Sequence, residues 1–255
     1  MRKTELQINL SNLENNLKVI KSTTSAEIQA VIKANAYGLD INEICETIEN
    51  EVGSFAVITV NEALNLREKT KKPILILQGV HEIADYDKVK DFNLDFVVHS
   101  DWQLDFMPEV DLSNSRAWLK INTGMNRLGF HPEEFINRYQ KLIDKNLKDL
   151  ILMSHLASSS EKSDPRNMEQ IKLFSNLTEN LDNKRSLANS GAIFNFHEAH
   201  FDIVRPGIAI YGGKYFEHGI KPVTCLRSKI TMLKNIKAGD SVGYDGSWIA
   251  SSDCI

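Results

Sequence analysis

Glu27-Ile28-Gln29-Ala30-Val31-Ile32-Lys33 is a short apolar run that ends on a charged amine, and seven similar runs follow it. They lie near Ser54 to Ile58, Pro73 to Leu77, Asp95 to Val98, Arg116 to Ile121, Asp149 to Ser154, Ser186 to Ala188 and Asp202 to Val204. Each is apolar on both faces, as a parallel strand covered by helices must be. Helix starts fall between them, with capping-box spacing at Ser11 and Glu14, Asp40 and Glu43, and Thr59 and Glu62. The alternation predicts an α/β fold, a TIM (β/α)8 barrel. Such barrels close in about 250 residues, and the chain has 255.

Two stretches fall outside this count. Leu6 to Leu10 reads as an earlier strand. From about Pro222 the pattern loses its helices: Thr224 to Ile236 reads as a long strand, Lys237-Ala238-Gly239-Asp240 as a turn, and Ser241 to Ala250 as a second strand. The expectation is a barrel over residues 1–221 and the start of a C-terminal β domain over 222–255, with strand 6–10 pairing with the β domain.

With 42% hydrophobic and 25% charged residues, the composition is that of a soluble globular protein. Thirty basic against 34 acidic residues give a net charge of −4. No block of five like charges occurs, which argues against nucleic acid or an anionic membrane as the main partner. There is no apolar run of membrane-spanning length and no apolar stretch behind Met1-Arg2-Lys3, so a cytoplasmic location is expected. Cys45, Cys225 and Cys254 are odd in number and far apart, which suggests neither a disulfide framework nor a metal site.

In a TIM barrel the reactive side chains project from the carboxyl ends of the strands. The first strand delivers Lys33 there, and a lysine amine partly withdrawn from water is a nucleophile toward carbonyls. A strand-end salt bridge is the plainer reading of that residue. After the fifth strand, glycines on both sides of Arg127 allow sharp turns that aim its planar fork at an anion. The sixth strand ends at Ser154-His155. After the last two strands come Asn189-Ser190-Gly191 and Arg205-Pro206-Gly207, where a phosphate site is frequently built. Phosphate contacts opposite a Schiff-base lysine fit pyridoxal 5′-phosphate.

Ala30-Val31-Ile32-Lys33-Ala34-Asn35-Ala36-Tyr37-Gly38 resembles the cofactor-attachment motif of the alanine racemases. Lys120 to Phe130, Ser154 to Ala157, Ala188 to Ala192 and Val204 to Gly212 resemble further signatures in that family's order. The resemblance spans nearly the whole chain. It implies a pyridoxal-phosphate isomerase of fold type III, in which a barrel is followed by a β domain. It also implies a head-to-tail homodimer whose two sites borrow residues from each other.

Carried over by resemblance, Lys33 would bear the cofactor and act as one of two bases. Tyr37, Ser190 and the backbone at Gly207 and Ile208 would bind its phosphate. Arg205 would face the pyridine nitrogen, Arg127 would orient the cofactor phenolate and the substrate carboxylate, and His155 would join Arg205 to the second base. Lys120 matches a lysine that is carbamylated in some members. Tyr244 matches the second base and would serve the partner's site. The implied substrates are L- and D-alanine, with D-alanine supplied to peptidoglycan.

The sequence departs from the family where Leu39-Asp40 replaces the usual His-Gly and where Asn122 replaces a common Asp. Family members continue through a complete β domain, so the resemblance implies a truncated chain. Three other readings stand beside the active enzyme. They are an inactive truncated racemase, a pyridoxal-phosphate-binding homeostasis barrel that does not racemise, and a Schiff-base aldolase whose phosphate site holds substrate.

Overall fold

A computed structural model describes residues 3–107, 111–145 and 147–255. The chain divides into two compact units, Asn9–Val223 and a smaller one made of the residues up to Ile8 with Thr224–Ile255.

In the smaller unit, β1 (Thr4–Ile8) belongs with the C-terminal strands described below. The larger unit holds β2 (Glu27–Val31), β3 (Ser54–Val57), β4 (Ile74–Ile76), β5 (Asp95–Val98), β6 (Leu112–Lys120), β7 (Leu147–Met153), β8 (Arg185–Ser186) and β9 (Ile203–Val204). These form one parallel sheet in the order β8-β7-β6-β5-β4-β3-β2-β9. The sheet closes on itself: the Asp202 N–H donates to the Arg185 carbonyl at 3.1 Å and the Arg205 N–H to the Ala188 carbonyl at 2.8 Å. The eight sequence-predicted strands are all present, and the fold is the expected (β/α)8 barrel.

Apolar side chains from successive strands fill the interior. Val31, Ala56, Leu75, Val97, Trp118, Ile151, Met153 and Ile203 form a buried cluster, so the barrel is a packed core with functional space only at its ends. The helix Leu10–Thr23 buries Leu13, Asn16, Leu17 and Ile20, at helical spacing. Asn16 earns its burial through hydrogen bonds: its amide donates to the carbonyls of Ile210 and Lys221 and accepts from the Lys221 N–H at 2.7 Å.

The helix starts correct the sequence reading in one place. Asn9, not Ser11, caps the first helix, accepting from the Asn12 N–H at 3.0 Å. Asp40 and Thr59 are caps as expected, accepting from the N–H groups of Asn42 and Glu62.

In the smaller unit, β1 pairs antiparallel with β10 (Thr224–Ser228), Thr4 opposite Ser228 and Ile8 opposite Thr224. The strand therefore begins before Leu6 and ends at Ile8, because Leu10 already belongs to the first helix. The expected strand to Ile236 stops at Ser228. The expected strand over 241–250 is a hairpin of β11 (Ser241–Val242) and β12 (Trp248–Ile249), since Gly243 to Gly246 turns between them. Positive φ at Gly243, Asp245 and Gly246 is incompatible with a continuous strand. The turn at Lys237–Asp240 is present, with the Asp240 N–H on the Lys237 carbonyl at 3.0 Å.

Candidate active site

Immediately after β2 the backbone does something rare for L-residues. Ala34, Asn35 and Ala36 adopt φ 53°, ψ 51° and Tyr37 φ 57°, ψ 29°, one turn of left-handed helix. At about 1–2 kcal/mol per residue, such a turn persists only where its surroundings fix it. The Glu62 carboxylate, at the start of the helix Val60–Arg67, accepts from the Ala34 N–H at 2.9 Å and from the Ile58 N–H at 2.7 Å. The Asn35 side chain accepts from the Ile41 N–H at 3.0 Å. The Tyr37 ring packs on Tyr211 at 4.7 Å, and the Tyr211 hydroxyl donates to the Val31 carbonyl. The result presents Lys33 and Tyr37 together at the barrel mouth.

The loop after β6 is tied back on itself. The Asn122 N–H donates to the Phe130 carbonyl and the Phe130 N–H to the Lys120 carbonyl, at 2.8 and 2.9 Å. Gly129, at φ 118°, makes this approach possible: a Cβ there would fall 2.8 Å from the Asn122 nitrogen. Arg127 is carried over the mouth with its side chain exposed.

Opposite, Ser190 begins the short helix Ser190–Asn195, capped by Asn189. The Ser190 hydroxyl oxygen accepts from the N–H groups of Gly207 and Ala209 at 3.0 and 3.2 Å, which fixes the loop after β9. Gly207 has no room for a side chain, since a Cβ would lie 2.4 Å from the Tyr37 hydroxyl.

Arg205 is 3% exposed and spends its donors on the Ser186 hydroxyl, the Ser154 carbonyl and, at 3.4 Å, His155 Nδ1. Burial draws its pKa down to about 10, so it stays charged at neutral pH. His155 also meets the Asn189 amide at 3.3 Å. Burial first, then the Arg205, Lys120, Arg127 and Lys33 charges, push its pKa well below the usual imidazole value and keep it neutral. The same logic brings the buried Lys120 amine down to about 7: burial first, then repulsion from Arg205, Arg127 and Lys33. Burial raises the pKa of Tyr37, which leaves it a hydroxyl donor.

All of these groups line one cavity of about 360 Å³. It gathers Lys33, Tyr37, Lys120, Arg127, His155, Ser190, Arg205, Gly207 and Ile208, nine of the ten residues singled out from the sequence. Tyr244 is not among its lining residues; it stands in the smaller unit with a side chain 96% exposed. The cavity also recruits Gln78, Ser159, Ser160 and Tyr215, which sequence reasoning missed. Ser158-Ser159-Ser160 reads as a plain loop. In the fold, Ser159 bonds to Asn189 and the Ser160 hydroxyl lies 2.9 Å from that of Tyr215.

Four cations and no carboxylate line the cavity. With its primary amine and its place at the carboxyl ends of the strands, it has the position and charge of a (β/α)8-barrel active site. Comparison with known proteins names the family. Residues 8–215 match the sequence profile of the alanine racemase N-terminal domain. The alanine racemase of Vesicomyosocius okutanii is 39% identical over 97% of this chain and 71% of its own. The biosynthetic alanine racemase of Pseudomonas aeruginosa superposes with a TM-score of 0.91 at 32% identity, covering 99% of this chain and 74% of that one. A Bartonella henselae alanine racemase, described with covalently bound pyridoxal phosphate, gives 0.78 at 27% identity over 98% and 73%. The chain belongs to the alanine racemase family of isomerases.

Proposed function

We propose that this protein is a pyridoxal-phosphate-dependent alanine racemase that works with two bases, Lys33 and Tyr244 of the partner subunit, in a homodimer. The observation that carries the reading is the convergence of Lys33, the Ser190–Gly207 cradle and the buried Arg205 on one cationic cavity.

The residues fit the cofactor. Its phosphate needs donors at close range, and Gly207 leaves open the space beside the Tyr37 hydroxyl that any side chain would fill. In this reading Tyr37, Ser190 and the backbone of Gly207 and Ile208 hold the phosphate, and Lys33 supplies the amine that carries the aldehyde. When bound, pyridoxal phosphate takes up the substrate amino group and makes the Cα proton acidic. Arg205 would hold the ring end of the cofactor, where a buried cation would disfavour protonation of the pyridine nitrogen and so moderate its electron withdrawal. His155, neutral between Arg205 and Asn189, orients that guanidinium. Arg127, exposed over the mouth, receives the substrate carboxylate in a charge-assisted pair. Lys33 takes or returns the proton on one face of Cα, and the tyrosine serves the other.

Lys120 carries a modification in this reading. Its amine has no hydrogen-bond partner among the described residues, and burial and the neighbouring cations bring its pKa down to about 7, which makes the neutral amine accessible near neutral pH. A neutral amine adds to carbon dioxide, forming an N–C bond and releasing one proton, and the resulting carbamate turns one of four crowded cations into an anion that steadies Arg127. Carbon-13 bicarbonate NMR with Lys120→Gln as the control checks this: a carbamate resonance is expected in the parent alone. The reaction belongs in the cytoplasm, where D-alanine feeds peptidoglycan synthesis.

The test is an absorbance scan of the protein with pyridoxal phosphate, borohydride reduction, peptide mapping and an alanine racemisation assay. Label on Lys33 with interconversion of the enantiomers is expected, and Tyr244→Phe should keep the label while losing interconversion. Label without interconversion in the parent would favour the non-racemising barrel. Absence of label would refute the cofactor reading itself.

A further inference from the structure

The opposite end of the barrel holds a second basin, of about 320 Å³, lined by Arg67, Lys71, Phe92, Asn93, Arg116 and Lys148, with Pro73, Asp95 and Asn114 at its floor and sides. Pro73, Asp95 and Lys148 stand at the N-terminal ends of β4, β5 and β7, so the packed core separates this basin from the mouth. No residue lines both.

Its charge is one-sided. Four cations surround one carboxylate, and that carboxylate is already taken. Asp95 accepts from the Arg116 backbone N–H at 2.9 Å, from Arg116 Nε at 2.8 Å and from Nη2 at 2.6 Å. Asp149 and Glu27 act on Arg116 from outside the lining. Arg67, Lys71 and Lys148 have no ion pair among the described residues. Arg67 is anchored without being neutralised. Its Nη1 donates to the carbonyls of Thr70 and Lys72 at 2.9 and 2.8 Å, while its Nε is buried with no acceptor. Among the described residues its Nη2 donates only to the Asn93 carbonyl, at 3.4 Å, so the guanidinium keeps an N–H for an incoming anion.

The volume is several times that of a phosphate group, and the surplus space is flanked by the half-exposed Phe92 ring and by the amides of Asn93 and Asn114. A flat aromatic ring with polar edges fits between such groups, since rings stack on aromatic side chains and amides pair with ring edges. We propose that this basin binds a nucleoside phosphate, its phosphates held by Arg67, Lys71 and Lys148 and its base against Phe92. Catalysis in barrels of this kind lies at the other end, so the basin is an effector or storage site.

Isothermal titration with ADP, run alongside inorganic pyrophosphate, tests the proposal on the cofactor-loaded protein. Saturable one-to-one ADP binding is expected. Lys71→Gln/Lys148→Gln should weaken it at least about tenfold, the loss typical of one or two phosphate contacts, and Phe92→Ala should weaken ADP while leaving pyrophosphate alone. Both lysines and Phe92 are exposed, so these variants fold. Tyr37→Phe/Ser190→Ala, in the mouth, should leave ADP affinity unchanged. The proposal is overturned if millimolar ADP gives no saturable binding, if the mouth variant abolishes binding while the basin variant spares it, or if pyrophosphate matches ADP and Phe92→Ala changes neither.

Discussion

Replacing Lys120 by methionine should stabilise the protein, and do so more in acid than in base. Lys120 is 7% exposed, and its pKa falls from 10.5 to about 7 because burial and three neighbouring cations disfavour its charge. The folded pKa lies below the unfolded one. From about 7 to 10.5 the unfolded chain therefore binds the extra proton, and stability of the parent rises with pH across that window. Below it both states are charged and the full penalty is present. At about 1.4 kcal/mol per pH unit, that penalty is about 5 kcal/mol near pH 6 and about 2 kcal/mol near pH 9. Methionine has similar length and no charge, so its packing effect is a constant offset and the pH-dependent part isolates the amine. Urea unfolding of Lys120→Met and parent in bicarbonate-free buffer reads the difference at each pH. The gap between the two should narrow by about 3 kcal/mol from pH 6 to 9, and a gap that stays constant would refute the account of a penalised lysine.

Lys33→Ala should remove borohydride-dependent labelling while the far-UV circular dichroism of the barrel stays intact; label reappearing on another lysine would reassign the attachment point. Gly207→Ala pushes a methyl group to 2.4 Å from the Tyr37 hydroxyl and should weaken pyridoxal-phosphate binding at least tenfold, about 1.4 kcal/mol, as read by equilibrium dialysis. Glu62→Ala frees the Ala34 and Ile58 N–H groups and should cost about 2 kcal/mol in unfolding free energy and speed amide exchange at Ala36 and Leu39, whereas unchanged exchange would show that the left-handed turn holds without the carboxylate.

The strands were legible because a parallel strand buried on both faces leaves a continuous apolar run, and such runs stand out between capped helices. Nine residues of the cavity wall were legible because they follow strand ends or sit in recognisable strings. What could not be read was anything set by contacts across the barrel. The side chain of Glu62 fits a helix cap, but nothing local tells that it reaches Ala34 in the neighbouring strand's loop. Ser159 and Ser160 carry no signal of their own and become cavity wall only because Asn189 and Tyr215 meet them. The left-handed turn was hidden by residues with no preference for it, Ala34 and Ala36 above all. In the tail, alternating apolar residues read as long strands, while the glycines at 243 and 246 decided otherwise.

The last barrel strand, the two-residue β9, pairs with the first, β2, and the Tyr211 hydroxyl reaches Val31 across 180 residues of sequence. Closing so long a loop is entropically slow and comes after the local βα units have formed. Lys33 leaves the ribosome early and Arg205 late, so the cationic cavity cannot exist on a partly made chain. Until then the lysine amine is an ordinary solvated side chain. Assembly of the cavity therefore has to wait for the last barrel strand, and under the proposed function a filled site would report that the barrel has closed.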